Sequence, residues 1–269
     1  MSPRTKLLMV IPINTSRFNK AAKAYVKPVI APGFTVDVMS IDAGFASIQS
    51  RYSLERNAEH VTALVEKIGP GYDGVFISDF DGCGADTCRE ILKIPVVDGF
   101  GPQASIALTL AQTFSIITPN DTLVGLDLAH PRALGLDDSL VSVRAMDLSM
   151  AELGTHDLVM QRAFDASVLA IEHDGAQAIL LGCTAMMGVA RPLADLLARN
   201  GLPVPVLDPN LAGVAFLQML VSCGLSQSAL CYPTPPELIL HPPPGYANQV
   251  KPLPRSRANG AGGAEHALR

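Results

Sequence analysis

The chain has 269 residues, of which 48% are hydrophobic, 17% are charged and none is tryptophan. That much apolar material builds one large domain or two smaller ones. A net charge of −5 speaks against nucleic acid and against an anionic membrane surface as partners. The apolar run Leu7–Ile13 is too short to span a bilayer and contains Pro12. No small-residue cleavage site follows it, so neither an anchor nor a signal peptide is expected. The cysteines number five, an odd count, and Cys83 and Cys88 do not form a CxxC pair. No second cysteine pair with histidine completes a zinc site, so reduced thiols in a cytoplasmic protein without a metal centre are expected.

Taken in order, Lys6–Ile13 (KLLMVIPI) is a buried strand that ends at the turn and cap residues Asn14-Thr15-Ser16. Asn19–Ile30 is expected to be helical. Thr35–Ile41 alternates as a strand, and Leu54, Ala58, Val61, Leu64, Val65 and Ile68 repeat at helical spacing. A short apolar strand, Val75–Ser78, stops at Asp79. Asp86–Leu92 is a helix, Ile94–Asp98 (IPVVD) a fourth strand, and Gln103–Ala111 a linking helix. The pattern then starts again. Phe114–Thr118 (FSIIT) echoes the first strand and Leu140–Arg144 the second. Asp157–His173 is the long helix, Ala178–Gly182 echoes Val75–Ser78, and Val204–Asp208 (VPVLD) echoes IPVVD. Leu211–Cys223 is the last helix and is expected to pack back on the first half.

Two halves of β-α-β-α-β-α-β order predict two similar α/β units with parallel sheets and right-handed crossovers. The expected first unit is residues 1–98, completed by 209–231, and the second is 99–208. Tyr232–Pro254 holds eight prolines, so 232–269 reads as a partly disordered arm.

The repeat has a chemical consequence. Aligning VFISD with ILLGC puts Asp79 on Cys183. Ligands of open parallel sheets sit beyond the carboxyl ends of the strands. If the units face each other about a pseudo-dyad, Asp79 and Cys183 face each other across a cleft. That arrangement suits taking a proton from one face of a carbon and returning one to the other. A helix starting after Gly182-Cys183 would offer free N–H groups and a positive dipole end, lowering the thiol pKa. Read by itself, Cys183 is equally compatible with an inert buried thiol. The polar strand ends Asn14-Thr15-Ser16 and Thr118-Pro119-Asn120 could hold a carboxylate or a cyclic ureide, or be plain turn residues.

The segments VIPINTS (Val10–Ser16), GFASIQSRY (Gly44–Tyr52), Asp73–Pro95, FSIIT (Phe114–Thr118) and DGAQAILLGCTAM (Asp174–Met186) resemble the aspartate/glutamate racemase superfamily, within it the hydantoin racemase branch. The resemblance implies a two-unit α/β fold with a pseudo-dyad, a cleft site between the units, chemistry without a cofactor, and a homo-oligomer. It implies two catalytic cysteines, one per unit. Cys183 occupies the second position, in the family's GC-[TA] motif, whereas the first carries Asp79. It further implies a small-molecule substrate near Asn14, Ser16, Ser47, Phe80, Thr118 and Thr184. There the backbone N–H groups after Asp79 and Cys183, with the Thr184 hydroxyl, would stabilise a carbanion or enolate.

The expected activity is therefore cofactor-independent racemisation or epimerisation of a hydantoin-like ureide or a small amino or carboxylic acid, with Asp79 and Cys183 as the acid/base pair. Ordinary pKa values near ~3.9 and ~8.5 leave such a pair as carboxylate and thiol at neutral pH. Unless the surroundings close that gap, the pair suits one-way chemistry, so a lyase, decarboxylase or cis–trans isomerase is the second reading. Three other readings stay open. VFISDFDG (Val75–Gly82) has the Asp-x-Asp-Gly pattern of phosphatases with an aspartate nucleophile. GFGPQA (Gly99–Ala104) fits a weak dinucleotide motif, although Pro102 lacks an N–H. A cleft that binds a small acid without turning it over is the third. Asp79, Asp81 and Asp86 read as a strand-end turn before a metal cluster. His60, His130, His156, His173, His241 and His266 share no spacing and read as surface or helix-end residues.

Overall fold

A computed structural model of the protein describes residues 4–236; most of the proline-rich 232–269 segment, with His241 and His266, lies outside them. The first half runs β1 (Thr5–Ile11), α1 (Asn19–Val26), β2 (Phe34–Ser40), α2 (Arg51–Ile68), β3 (Gly74–Ile77), α3 (Ala85–Ile91), β4 (Val96–Val97) and α4 (Phe100–Leu110). The second runs β5 (Phe114–Thr118), α5 (Asp121–Asp127), α6 (Ala129–Ala133), β6 (Leu140–Ala145), α7 (His156–Glu172), β7 (Ile179–Leu181), α8 (Ala190–Arg199) and β8 (Val206–Leu207). The helix α9 (Pro209–Ser222) follows. Each half forms a four-stranded, all-parallel sheet, β2-β1-β3-β4 and β6-β5-β7-β8, so the strand order repeats. The sequence reading does not mark the α5–α6 pair, nor α8, although Ala190, Leu193 and Leu197 of α8 repeat at helical spacing and share its buried face.

Parallel strands are buried on both faces, which is why β1 reads as an unbroken apolar run. Alternate residues go to opposite sides. Leu8, Val10, Val75 and Ile77 pack under α2 and α3. Leu7, Met9 and Phe76 pack under α1 and α9. In the second sheet, Ile117, Ile179 and Leu181 meet α7 and α8, whereas Phe114, Ile116 and Leu180 meet Phe100, Ala104 and Ala107 of α4. Each such fully buried side chain contributes about 1.5–3 kcal/mol. The helices α4 and α9 thus cross over: α4 leaves the first sheet and covers the second, and α9 leaves the second and covers the first.

Local chemistry sets the ends. Ser50 caps α2 in a reciprocal capping box with Ser53, which starts that helix three residues before the apolar periodicity does. Asp208 caps α9 by accepting from the N–H groups of Asn210 and Leu211, both at 2.9 Å, with Pro209 in the first turn where its missing N–H costs nothing. The helix expected over Asn19–Ile30 stops as α1 at Val26 and tightens into a 3-10 turn over Lys27–Val29. Pro28 lies in that turn and cannot donate to an α-helical ladder.

The crossover needs a close approach. A Cβ built on Gly213 of α9 would lie 2.4 Å from Phe76 Cε2. Phe76 is itself buried in the sheet and has no room to swing away. Gly213→Ala is expected to cost about 1–3 kcal/mol through overpacking, more than the ~1 kcal/mol that alanine gains in helix propensity. Urea denaturation should show a lower midpoint at unchanged slope, and Phe76→Leu in the same chain should recover part of the loss.

Candidate active site

Asp79 and Cys183 occupy equivalent places in the two sheets. The β3 strand pairs Ile77 with Val10 of β1, and β7 pairs Leu181 with Ile117 of β5. The next residue in each case continues the ladder by one bond: Ser78 N–H to Val10 C=O and Gly182 N–H to Ile117 C=O, both 2.8 Å. One residue later, each chain turns off its sheet, at Asp79 and at Cys183. Both turns depend on a backbone that passes close. A Cβ on Gly182 would lie 2.9 Å from Ile116 Cγ2 and 3.1 Å from the Ile117 carbonyl oxygen. A Cβ on Gly99 would lie 2.8 Å from the Asp79 carbonyl oxygen, which already accepts the Gly99 N–H at 2.8 Å. The Gly99-x-Gly101 pattern is accounted for by this packing. The Gly101 N–H, which a phosphate would need, is bound by Asp98 Oδ1 at 2.8 Å.

Both side chains line a cavity of about 180 Å³ over the carboxyl ends of β1, β3 and β7. Residues of both halves contribute to it. Ile11, Ile13 and Phe18 supply an apolar wall, Ser47 and Asn210 polar points, and Met150 and Met187 adaptable apolar surface. The wall segment at Ala46–Ile48 is held by Asn57, whose side-chain amide donates to Pro12 C=O (2.7 Å) and Phe45 C=O (3.1 Å) and accepts from Phe45 N–H (2.7 Å). A larger hollow of about 350 Å³ elsewhere is lined by Pro102, Leu108, Leu134 and Phe216 around Arg89. Arg89 is already tied to Asp98 (2.7 Å) and Asp86 (2.6 Å), so that hollow lacks converging polar groups.

Two loops, one from each half, are fastened together beneath the cavity. Thr184 Oγ1 donates to Ser78 C=O (3.1 Å), Ser78 Oγ donates to Asn210 Oδ1 (2.7 Å), and Asn210 Nδ2 donates to Thr184 C=O (2.8 Å). Asn210 is buried and was not among the sequence candidates. The IPVVD/VPVLD repeat places Asp98 and Asp208 at the same point, where Asp208 caps α9 and Asp98 accepts the Gly101 N–H, but it does not mark Asn210.

Burial dominates the protonation of both central groups. Asp79 is pushed up to about 6, first by burial; the Cys83 N–H (3.1 Å from Oδ1) and His130 hold it back, and Asp98 adds to the rise. Cys183 is pushed up to about 12, again first by burial, against one N–H from Ala185, with the negative charges of Asp79, Asp127 and Asp81 adding to the rise. The expectation of a thiol lowered by a helix N-terminus is therefore corrected. Residues 183–189 form turns, and α8 begins only at Ala190. The dipole end is too far from the sulfur to offset its loss of water. At neutral pH the pair is carboxylate and thiol.

Of the sequence candidates, Asp79, Cys183, Ser47 and Thr184 meet at this cavity. Thr184 spends its hydroxyl on Ser78. Asn14 and Ser16 are exposed beside it, with Asn14 Nδ2 reaching Gly44 C=O at 3.5 Å. Phe80 is buried edge-on against Phe100 (5.5 Å between centroids), so only its backbone is placed next to Asp79. Thr118 is buried behind the site. Asp81 is also buried, away from the cavity lining, which separates the two aspartates of the Asp-x-Asp-Gly pattern. Among the described residues, no three or more His, Cys, Asp or Glu side chains are placed to hold a metal ion, and no helix is long and apolar enough to cross a membrane. His130, read as a surface or helix-end residue, lies half-buried at the start of α6, its ring against the Asp81 turn with Nε2 at 2.5 Å from the Asp81 carbonyl oxygen.

Comparison with known proteins gives one consistent result. Residues 7–217 match the family described as Asp/Glu/hydantoin racemase. A hydantoin racemase of Paenarthrobacter aurescens is 27% identical over 237 residues, 86% of this chain and 98% of that protein. A hydantoin racemase of Pseudomonas sp. (strain NS671) is 27% identical over 229 residues, 84% of this chain and 89% of that protein. The crystal structure of allantoin racemase from Pseudomonas fluorescens superposes with a TM-score of 0.81 at 28% identity, covering 88% of this chain and all of that one.

The fastening between the loops is open to direct test. Asn210→Ala leaves the buried Ser78 hydroxyl and Thr184 carbonyl without partners, at about 1–3 kcal/mol for each. Thermal unfolding should fall accordingly. Asn210→Asp, which keeps the acceptor for Ser78 but turns a second acceptor toward Thr184 C=O, should recover little of it at neutral pH.

Proposed function

The chain belongs to the Asp/Glu/hydantoin racemase family, and on that premise we propose that it racemises a small five-membered cyclic ureide, a ring of the hydantoin or allantoin type, without a cofactor. The observation that carries this reading is the placement of Asp79 and Cys183 at equivalent strand ends of the two halves, both lining one cavity. The hydantoin and allantoin racemases, similar over most of their length, support the choice of substrate class.

The stereogenic carbon of such a ring carries a hydrogen next to a carbonyl. Asp79, ionised at neutral pH, removes that proton, and the electron pair moves into the ring carbonyl as an enolate. Cys183 gives its thiol proton to the opposite face, leaving protonated Asp79 and a thiolate. The backbone N–H groups of Phe80 and Thr184 stabilise the enolate oxygen, a role the committed Thr184 hydroxyl does not fill. The apolar wall of Ile11, Ile13 and Phe18 receives the ring substituent. A thiol at about 12 opposite a carboxyl at about 6 makes the two directions unequal. Enantiomers have the same free energy, so kcat/KM must match in both directions. The inequality therefore appears as different kcat and KM values for the two.

The same inequality favours one second reading, a one-way lyase, decarboxylase or cis–trans isomerase in which Asp79 steers or deprotonates and Cys183 only protonates. Incubation of single enantiomers of 5-substituted hydantoins in D₂O separates the two. Deuterium entering at the α-carbon with loss of optical activity, lost in Cys183→Ser, is the racemase outcome. Deuterium entering with retained configuration, or found only in a decarboxylated or eliminated product, is the outcome that overturns it.

The pH dependence follows from the direction of the Asp79 shift. As a base, Asp79 must be ionised, so kcat/KM should fall about tenfold per pH unit below about 6. It should stay level through neutral and mildly alkaline pH, because the thiol keeps its proton up to about 12. Asp79→Asn and Cys183→Ser should each lower kcat by roughly 10²–10⁴-fold, the usual contribution of a general base or acid.

A further inference from the structure

Behind Asp79 lies a pair of acidic side chains that the proposed proton transfer does not use. Asp81 leaves the turn after β3 and Asp127 ends α5, and both are buried, Asp127 completely. The Asp127 carboxyl lies beside those of Asp81 and the Thr118 hydroxyl. Nevertheless Asp81 Oδ1, both oxygens of Asp127 and Thr118 Oγ1 lack a hydrogen-bond partner. Two ionised carboxylates are acceptors only and cannot satisfy one another. Buried polar atoms in native proteins are almost always paired, and a group of this kind calls for an explanation. One proton on either carboxyl supplies the missing donor, as happens when two carboxylates share a site.

The surroundings favour that proton. The groups facing the pair are Asp79 and Cys83 from the same turn, Cys183 from the second sheet, Arg51 of α2 and His130 of α6. Asp81 is driven well above the ordinary carboxylate range by burial first and then by the charges of Asp127 and Asp79, against Arg51. Asp127 is pushed up to about 7, mainly by burial. Neither carboxylate forms an ion pair among the described residues. His130 Nε2 is directed to the Asp81 backbone carbonyl and so fixes the turn.

We propose that Asp81 and Asp127 hold one proton between them at neutral pH, a carboxylic acid donating to a carboxylate, and that the single negative charge of this pair is a positioning element for proton chemistry at Asp79. The charge strengthens Asp79 as a base and keeps Cys183 a thiol. The role assigned to the pair rests on the reading of Asp79 as the base; the shared proton itself does not. Neither residue touches the cavity, so neither is a catalytic residue.

The test is an NMR titration of the full-length protein labelled with ¹³C at the aspartate carboxyls, in the wild type, Asp81→Asn, Asp127→Asn and the double variant. In the wild type one carboxyl of the pair should remain protonated at neutral pH. Each single variant replaces the shared proton by an amide N–H and keeps one charge, so the Asp79 midpoint should stay near about 6. The double variant removes the charge, and the midpoint should drop by about one pH unit or more, with the acid limb of kcat/KM moving to lower pH by the same amount. Two ionised carboxyls in the wild type at neutral pH overturn the proposal. So does an Asp79 midpoint that moves as far in either single variant as in the double, or that does not move in the double. Should the double variant fail to fold, the wild-type and single-variant titrations still decide whether the proton is shared. The titration needs no turnover, so absence of racemisation in a protein that shows the shared proton would refute the activity and leave the pair standing.

Discussion

Withdrawal of water from two ionisable groups is the constraint on which this site depends. A carboxylate and a thiol stand at the ends of two buried strands, and protein encloses each of them except where the cavity opens. Burial raises both, Asp79 to about 6 and Cys183 to about 12. A carboxylate made more basic in this way remains ionised at neutral pH and is a better proton acceptor than a solvated aspartate. A thiol treated likewise remains a proton donor. One physical effect therefore gives the two residues opposite roles in the proposed reaction, and the sheets need only deliver them to the same cavity.

The delivery was legible in the sequence because it rests on periodicity. Apolar runs at β1, β3, β5 and β7 and the paired IPVVD and VPVLD segments announced two parallel sheets and put Asp79 opposite Cys183 in register. Side-chain direction was far less legible. Phe80 and Thr118 sit at strand ends, where sequence reasoning places ligands, yet both turn into the core. Asn210 has no motif of its own, and its place between Ser78 and Thr184 is a product of tertiary packing. The protonation of Cys183 was misread for a related reason. A glycine-cysteine-threonine strand end implies a helix start, but the chain spends five further residues in turns before α8 begins.

Close backbone approach runs through the whole site. Gly99 lets the first turn of α4 touch the Asp79 peptide, Gly182 lets the cysteine loop leave β7 against β5, and Gly213 lets α9 lie on Phe76. At each of these contacts a methyl group would displace backbone or a buried ring. These glycines are spacers that fix where the polar groups of the cavity come to rest, and the dinucleotide-like pattern at Gly99–Ala104 is one instance of them.

The crossing of α4 and α9 makes each half incomplete without the other. Each sheet is roofed on one face by a helix that belongs, in sequence, to the other half. Either half alone would expose that face, and a symmetric pair of identical halves could cover it only by trading helices. Such a symmetric pair necessarily presents the same residue at both strand ends. Two halves of one chain, unlike two copies of one half, can carry a carboxylate at one strand end and a sulfur at the other, as Asp79 and Cys183 do here.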